Sequence, residues 1–163
     1  MVYKIVSGGQ TGVDRAALDM AIENEIACGG WCPKGRMAED GPLDAKYPLI
    51  ETPAPSPSQR TEWNVRDSEA TLIIVWGSPQ GGTLKTAAAA ARLKKPFLLI
   101  NMLEKPAVEA VQKWIEKTQA HVVNIAGPRA SEVPEAYEEA KLFLTEVFAS
   151  EDDDDDETGL LPE

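Results

Sequence analysis

Apolar and polar positions along the chain alternate between two periods. The run Val2 to Val6, with Lys4 its only charge, has the length of a β-strand, and helical spacing follows from about Gly12 to Asn24. There Val13, Ala17, Leu18, Ala21 and Ile22 form one apolar face. A short strand over Ile26 to Gly29 comes next, then a polar stretch with glycines and prolines to Pro42, and a brief strand within Tyr47 to Thr52. Pro53, Pro55 and Pro57 make a loop, and Ser58 caps a helix running to Ser68. Ala70 to Trp76 is the most apolar run in the chain, and an alanine-rich helix reaches from the next turn to Lys95. A strand over Phe97 to Ile100, a helix from Pro106 to Thr118, a strand over Val122 to Ile125 and a closing helix from Val133 to Phe148 complete the order.

Strands that alternate with helices, and whose central members are apolar throughout, predict an α/β fold: a single Rossmann-like, three-layer domain with a mostly parallel twisted sheet. Right-handed crossovers then bring every strand-to-helix turn to one edge, where open α/β sheets bind ligands. The turns at Gly8–Gly12, Trp31–Arg36, Gly77–Thr83, Asn101 and Gly127–Arg129 are expected there, together with the start of the helix carrying Arg60. Residues 1–149 read as the ligand-binding domain and 150–163 as an acidic, flexible tail.

Ser7-Gly8-Gly9-Gln10-Thr11-Gly12-Val13-Asp14 joins the first strand to the first helix. Closely spaced glycines let backbone N–H groups approach an anion, and the helix behind them adds unpaired N–H donors and the positive dipole end. The spacing is neither a Walker loop nor G-x-G-x-x-G. Gln80-Gly81-Gly82-Thr83 repeats the logic, on what reads as the neighbouring strand, with Ser78 just before it. Gly8, Gly9, Gln10, Thr11 and Gly12, with Ser78, Gly81, Gly82 and Thr83, are therefore the expected phosphate cradle. Valine at Gly9 would block the ligand's approach and resist positive φ. Lys34, Arg36 and Arg60 supply positive charge, and Asn64 lies one turn beyond Arg60. Trp31, Trp63 and Trp76 lie near the same edge, where each could stack a flat ring or belong to the core.

Composition narrows the classes. The formal charge of −11 includes seven consecutive acids, Glu151 to Glu157, which leaves −4 on the rest. Such a body lacks the basic patch of a nucleic-acid binder. No apolar run approaches a membrane span, and no signal-peptide pattern opens the chain, so the expectation is a cytoplasmic protein. Cys28 and Cys32 are the only cysteines and His121 the only histidine. They are too few for a zinc site of four cysteines, or of two cysteines and two histidines. No nucleophile–base pair and no flanking carboxylates stand out.

These motifs, with Gly29-Gly30-Trp31-Cys32-Pro33-Lys34-Gly35-Arg36, Ala38-Glu39-Asp40-Gly41-Pro42, Arg60-Thr61-Glu62-Trp63-Asn64-Val65-Arg66-Asp67-Ser68 and Gly127-Pro128-Arg129, resemble the molybdenum cofactor carrier family over residues 1–148. The resemblance implies a Rossmann-like fold related to the lysine decarboxylase-like cytokinin phosphoribohydrolases and to DNA-processing protein A. It also implies a homo-oligomer that binds molybdopterin (the molybdenum cofactor) or a nucleotide as its small phosphorylated ligand. In the phosphoribohydrolases an arginine precedes the central strand and P-G-G-x-G-T-x-x-E follows it. Arg60 and Gly82-Thr83 match, but the glutamate position is Thr86 and the leading P-G-G is missing. A carrier without catalysis is the expectation, with a hydrolase or a nucleotide-sensing module as alternatives.

Overall fold

The computed structural model describes residues 1–149, and the acidic tail expected from 150 onward lies outside them. Strand β1 (Lys4–Val6) leads through a glycine turn into α1 (Val13–Glu23) and back to β2 (Ala27–Gly29). Four short strands follow: β3 (Trp31–Cys32), β4 (Met37–Ala38), β5 (Gly41–Pro42) and β6 (Ile50–Glu51). Then come α2 (Pro57–Arg66), β7 (Ala70–Val75), α3 (Gly81–Arg92) and β8 (Phe97–Asn101). A single 3-10 turn, Met102–Glu104, precedes α4 (Val108–Thr118), β9 (Val122–Ala126) and α5 (Ala136–Phe148).

The main sheet has five parallel strands in the order β2-β1-β9-β7-β8, the Rossmann-like arrangement expected from the alternation. One expectation needs correction. The strands that carry the two glycine turns, β1 and β7, are not neighbours; β9 lies between them and pairs with both. The last strand among the described residues thus fills the centre of the sheet. Its apolar residues Val123 and Ile125 are fully buried, as are Ile5 and the whole middle of β7.

Opposite crossover directions put α1 and α4 on one face and α3 on the other. Against the first face, Ala16, Ala17, Met20, Val111, Phe143 and Leu144 pack with the sheet in the principal core. On the second, Val65 of α2 meets Ala89 and Ala90 of α3. The brief strand read within Tyr47–Thr52 is β6, and it pairs with β3 in a separate two-stranded sheet. β4 and β5 form a small antiparallel hairpin. The cap of α2 is Ser56, not Ser58: its side chain accepts the Ser58 N–H at 3.2 Å, and Pro57 takes the first helical position. Proline there loses no helix hydrogen bond, which moves the start forward. Among the described residues no helix is long and apolar enough to cross a membrane.

Candidate functional site

At the C-terminal edge of the sheet lies a cavity of about 240 Å³. Its floor is the end of β9, Asn124 to Gly127, and its sides are Gly8 and Gln10 after β1 and Gly81–Thr83 after β7. The chain leaves β1 toward β2 and β7 toward β8, in opposite directions, so this is the crevice where the strand order reverses. The N-termini of α2 (Pro57, Ser58, Arg60, Thr61) and α3 (Gly81 to Thr86) both open onto it. Arg60, Lys85 and Arg129 bring positive charge to the lining; Asp14 and Glu132 bring negative.

Arg60 is nearly buried, and its Nη1 donates to the Gly8 carbonyl oxygen at 2.7 Å. The next carbonyl, that of Gly9, accepts from Arg15 Nε and Nη2 at 3.2 and 3.1 Å, and Arg15 also grips Asp40. Both glycine carbonyls are therefore turned to guanidinium groups. Asp14 Oδ2 faces the Gln10 N–H at 3.4 Å from the first turn of α1. Burial pushes the Asp14 carboxyl up to about 6, although Arg60, the Gln10 N–H and Arg15 all pull the other way. An acid that stays partly protonated near neutrality thus lines the same cavity as a buried guanidinium.

Of the residues read from the sequence, the cavity gathers Gly8, Gln10, Arg60, Asn64, Gly81, Gly82 and Thr83, and Thr86 sits among them. Ser78 lines an adjoining cavity of about 140 Å³ together with Trp76. The others lie elsewhere. Gly9 and Gly12 have φ of +82° and +80°, as glycine permits, but their α-carbons face protein. A Cβ at Gly9 would lie 2.6 Å from Leu49 Cδ1, and one at Gly12 would strike the Pro128 carbonyl oxygen. The obstacle to valine at Gly9 is thus the packing under the turn, not a ligand. Thr11 donates its hydroxyl to Glu39 Oε1 and accepts the Ala130 N–H at 3.0 Å. Gln10, besides lining the cavity, accepts the Thr11 and Glu39 N–H groups on its side-chain oxygen.

Lys34 is exposed and outside the lining. Arg36 is spent on structure, donating to the carbonyls of Leu49, Asp44 and Tyr47 at 2.8, 3.0 and 3.1 Å. Asn64 reaches the lining, but its amide is a two-point clamp on the Trp31 backbone, accepting at 2.7 Å and donating at 3.0 Å. Trp31 and Trp63 pack edge to face, with ring centroids 4.8 Å apart. Cys32 is buried and Cys28 half-buried; burial pushes both thiols up, away from the reactive thiolate. His121 stands at the opposite edge, stacked on Tyr3.

Asp14, Lys85, Asn124, Arg129 and Glu132 line the same cavity without having been singled out as ligand residues by the sequence. Lys85 lies two residues beyond Thr83 at the start of the second turn of α3, and the Gly127-Pro128-Arg129 turn is expected at this edge, so those two carried a signal. Asn124 and Glu132 depend on β9 being central, which no local pattern reveals.

No curated protein matches the chain. A crystal structure at 1.45 Å of "Putative molybdenum carrier protein" from Syntrophus aciditrophicus SB is similar, with 45% sequence identity and a TM-score of 0.85 over 90% of this chain and 95% of that one. Residues 5–148 match the family described as the Circularly permutated YpsA SLOG family. The match takes in both glycine turns and the inserted strand β9, and at 45% identity over nearly the full length of a solved relative the kinship is close: the chain belongs to the Circularly permutated YpsA SLOG family.

Proposed function

We propose that the protein binds or carries a small phosphorylated ligand, a phosphorylated pterin such as the molybdenum cofactor or a nucleotide, in the cavity at the strand-order reversal. One observation carries the reading: two helix N-termini and the cations Arg60, Lys85 and Arg129 converge on one crevice. Helix N-termini and arginines are the groups that hold phosphates. The name of the relative, "Putative molybdenum carrier protein", supports a ligand that carries molybdenum. Among the described residues no three His, Cys, Asp or Glu side chains group to ligate a metal ion, so a metal would arrive as part of the ligand. The residues fit the phosphate end of such a cofactor; the Arg60 and Arg129 guanidinium groups and the first turn of α3 would hold it.

Mass spectrometry of the small molecule that co-purifies with the protein identifies the ligand directly. Calorimetry with nucleoside monophosphates then tests the site. Arg129→Ala, at a half-exposed side chain, is expected to weaken binding about ten- to a hundredfold, the worth of one charge-assisted contact. His121→Ala is the control at the far edge. Equal binding by both variants and the parent overturns the assignment.

Asp14 supports a second reading. Thr86 cannot act as a carboxylate, but Asp14 brings one to the same cavity from α1, held up to about 6, in the range of a general acid or base. Release of free base from nucleoside monophosphates, lost in Asp14→Asn, would make the protein a hydrolase; no release leaves the carrier.

A further inference from the structure

We propose that the adjoining cavity is a ring subsite, so that the ligand is a phosphorylated compound carrying a 2-amino-4-oxopyrimidine ring of the guanine or pterin kind. The proposal deepens the reading above and rests on it. The first cavity, at about 240 Å³, falls below the ~300 Å³ where small-molecule sites begin; the second, about 140 Å³, brings the pair above it. They adjoin along two walls. Thr83 and Glu132 line both, while Pro128 lines the second and its neighbour Arg129 the first.

Their chemistries differ. The first holds three cations and two helix N-termini; the second has no cation, and Trp76, Pro79, Pro128 and Val133 line it beside the polar Ser78 and Gln80. An indole and two proline rings in one lining offer apolar surface, which suits a heteroaromatic ring better than a phosphate. Trp76 is oriented by its Nε1, which donates to Glu139 Oε2 of α5 at 3.2 Å. At the junction stands Glu132, fixed by Arg129 Nε at 3.2 Å. A carboxylate accepts from two adjacent N–H donors, the edge that guanine and pterin present and adenine lacks. Ring against Trp76, donor edge on Glu132 and phosphate between α2 and α3 make one continuous mode.

Calorimetry with ribose 5-phosphate, GMP, AMP and neopterin monophosphate tests this, with tryptophan fluorescence as a second readout. GMP or neopterin monophosphate is expected to bind at least tenfold more tightly than ribose 5-phosphate or AMP; the tighter of the two names the ring. Quenching by it should vanish in Trp76→Phe. Ser78→Phe, which fills the second cavity from its rim, should abolish the advantage over ribose 5-phosphate and leave ribose 5-phosphate binding within twofold. Glu132→Ala should bring GMP and AMP together. Equal binding of all four by the parent, or an advantage that survives Ser78→Phe, overturns the ring subsite while leaving the phosphate site standing. If neither ribose 5-phosphate nor any of the ring-bearing phosphates binds, the proposed function fails and the subsite with it.

Discussion

Gly8 and Arg60, 52 residues apart, occupy one space: a Cβ on Gly8 would lie 2.5 Å from Arg60 Cδ and 2.7 Å from its Nη1. The guanidinium passes where a side chain would have been, and its hydrogen bond to the Gly8 carbonyl ties α2 to the end of β1. Gly8 has no positive φ, so its requirement is space and not backbone freedom.

Gly8→Ala is therefore conformationally allowed and acts through Arg60. Forcing a buried guanidinium off its acceptor is expected to cost about 1–3 kcal/mol, measured by urea unfolding. In the double variant with Arg60→Ala the two losses should fall short of their sum, because both remove the same contact. Additive losses would mean that the alanine acts elsewhere.

Asp14→Asn is expected to stabilise the fold at neutral pH. The carboxyl sits at about 6 in the native state against an ordinary value of 3.8, so the native state holds its proton more tightly than the unfolded chain. Stability then falls as pH rises from about 4 to about 6 and is level above. The whole shift corresponds to roughly 3 kcal/mol, which asparagine would recover at pH 7.5 and not at pH 4. Unfolding of both proteins at the two pH values checks it; a pH-independent difference would remove Asp14 as its source.

Glu39 latches the β4–β5 segment over the first glycine turn. Its carboxylate accepts from the hydroxyls of Thr11 at 2.5 Å and Ser131 at 2.6 Å, and from the Ser131 N–H at 3.1 Å. The Ser131 and Thr11 hydroxyls hold its carboxyl below the ordinary value, so this stabilisation is present at neutral pH and lost on acidification through the lowered value. Glu39→Ala should speed amide hydrogen exchange about tenfold over residues 37–42 and 128–131 while β7 is unchanged. Unaltered exchange there would show that Arg15 and Asp40 suffice to hold the segment.

The alternation of elements was legible because the apolar runs have the lengths and periods of buried strands and half-buried helices. Strand order was not. Whether β9 ends at an edge or between β1 and β7 depends on pairing with strands far away in sequence, and the local sequence of Val122–Ala126 suits either place. That Gly8, Gly82, Thr83 and Arg60 meet at one cavity could be anticipated, because topology alone brings strand ends and helix starts to one edge. Thr11 read as a ligand donor but serves the latch, since a hydroxyl's partner cannot be read from its neighbours. Asp14 closed the first glycine motif with no role of its own; its raised carboxyl comes from burial, which only the assembled fold imposes.

Arg36 and Arg129 make the last contrast, because charge in a loop says nothing of where it points. Arg36 satisfies three carbonyls of the 44–49 segment, while Arg129 is half-exposed over the cavity and pairs with Glu132 and, more distantly, Glu39. Arg36→Ala strips those carbonyls of their donors and should cost about 2–3 kcal/mol in urea, at the level of hydrogen bonds made by a charged group. Its ligand affinity should stay within twofold of the parent. Arg129→Ala should do the reverse, since exposed ion pairs add at most about 1 kcal/mol to stability while a phosphate contact carries a decade or more of affinity. Unfolding and calorimetry on the two proteins therefore give opposite pairs of results. Should Arg36→Ala lose affinity with its fold intact, the cavity extends to the 44–49 segment and the boundary drawn at Gly8 and Gln10 is too tight.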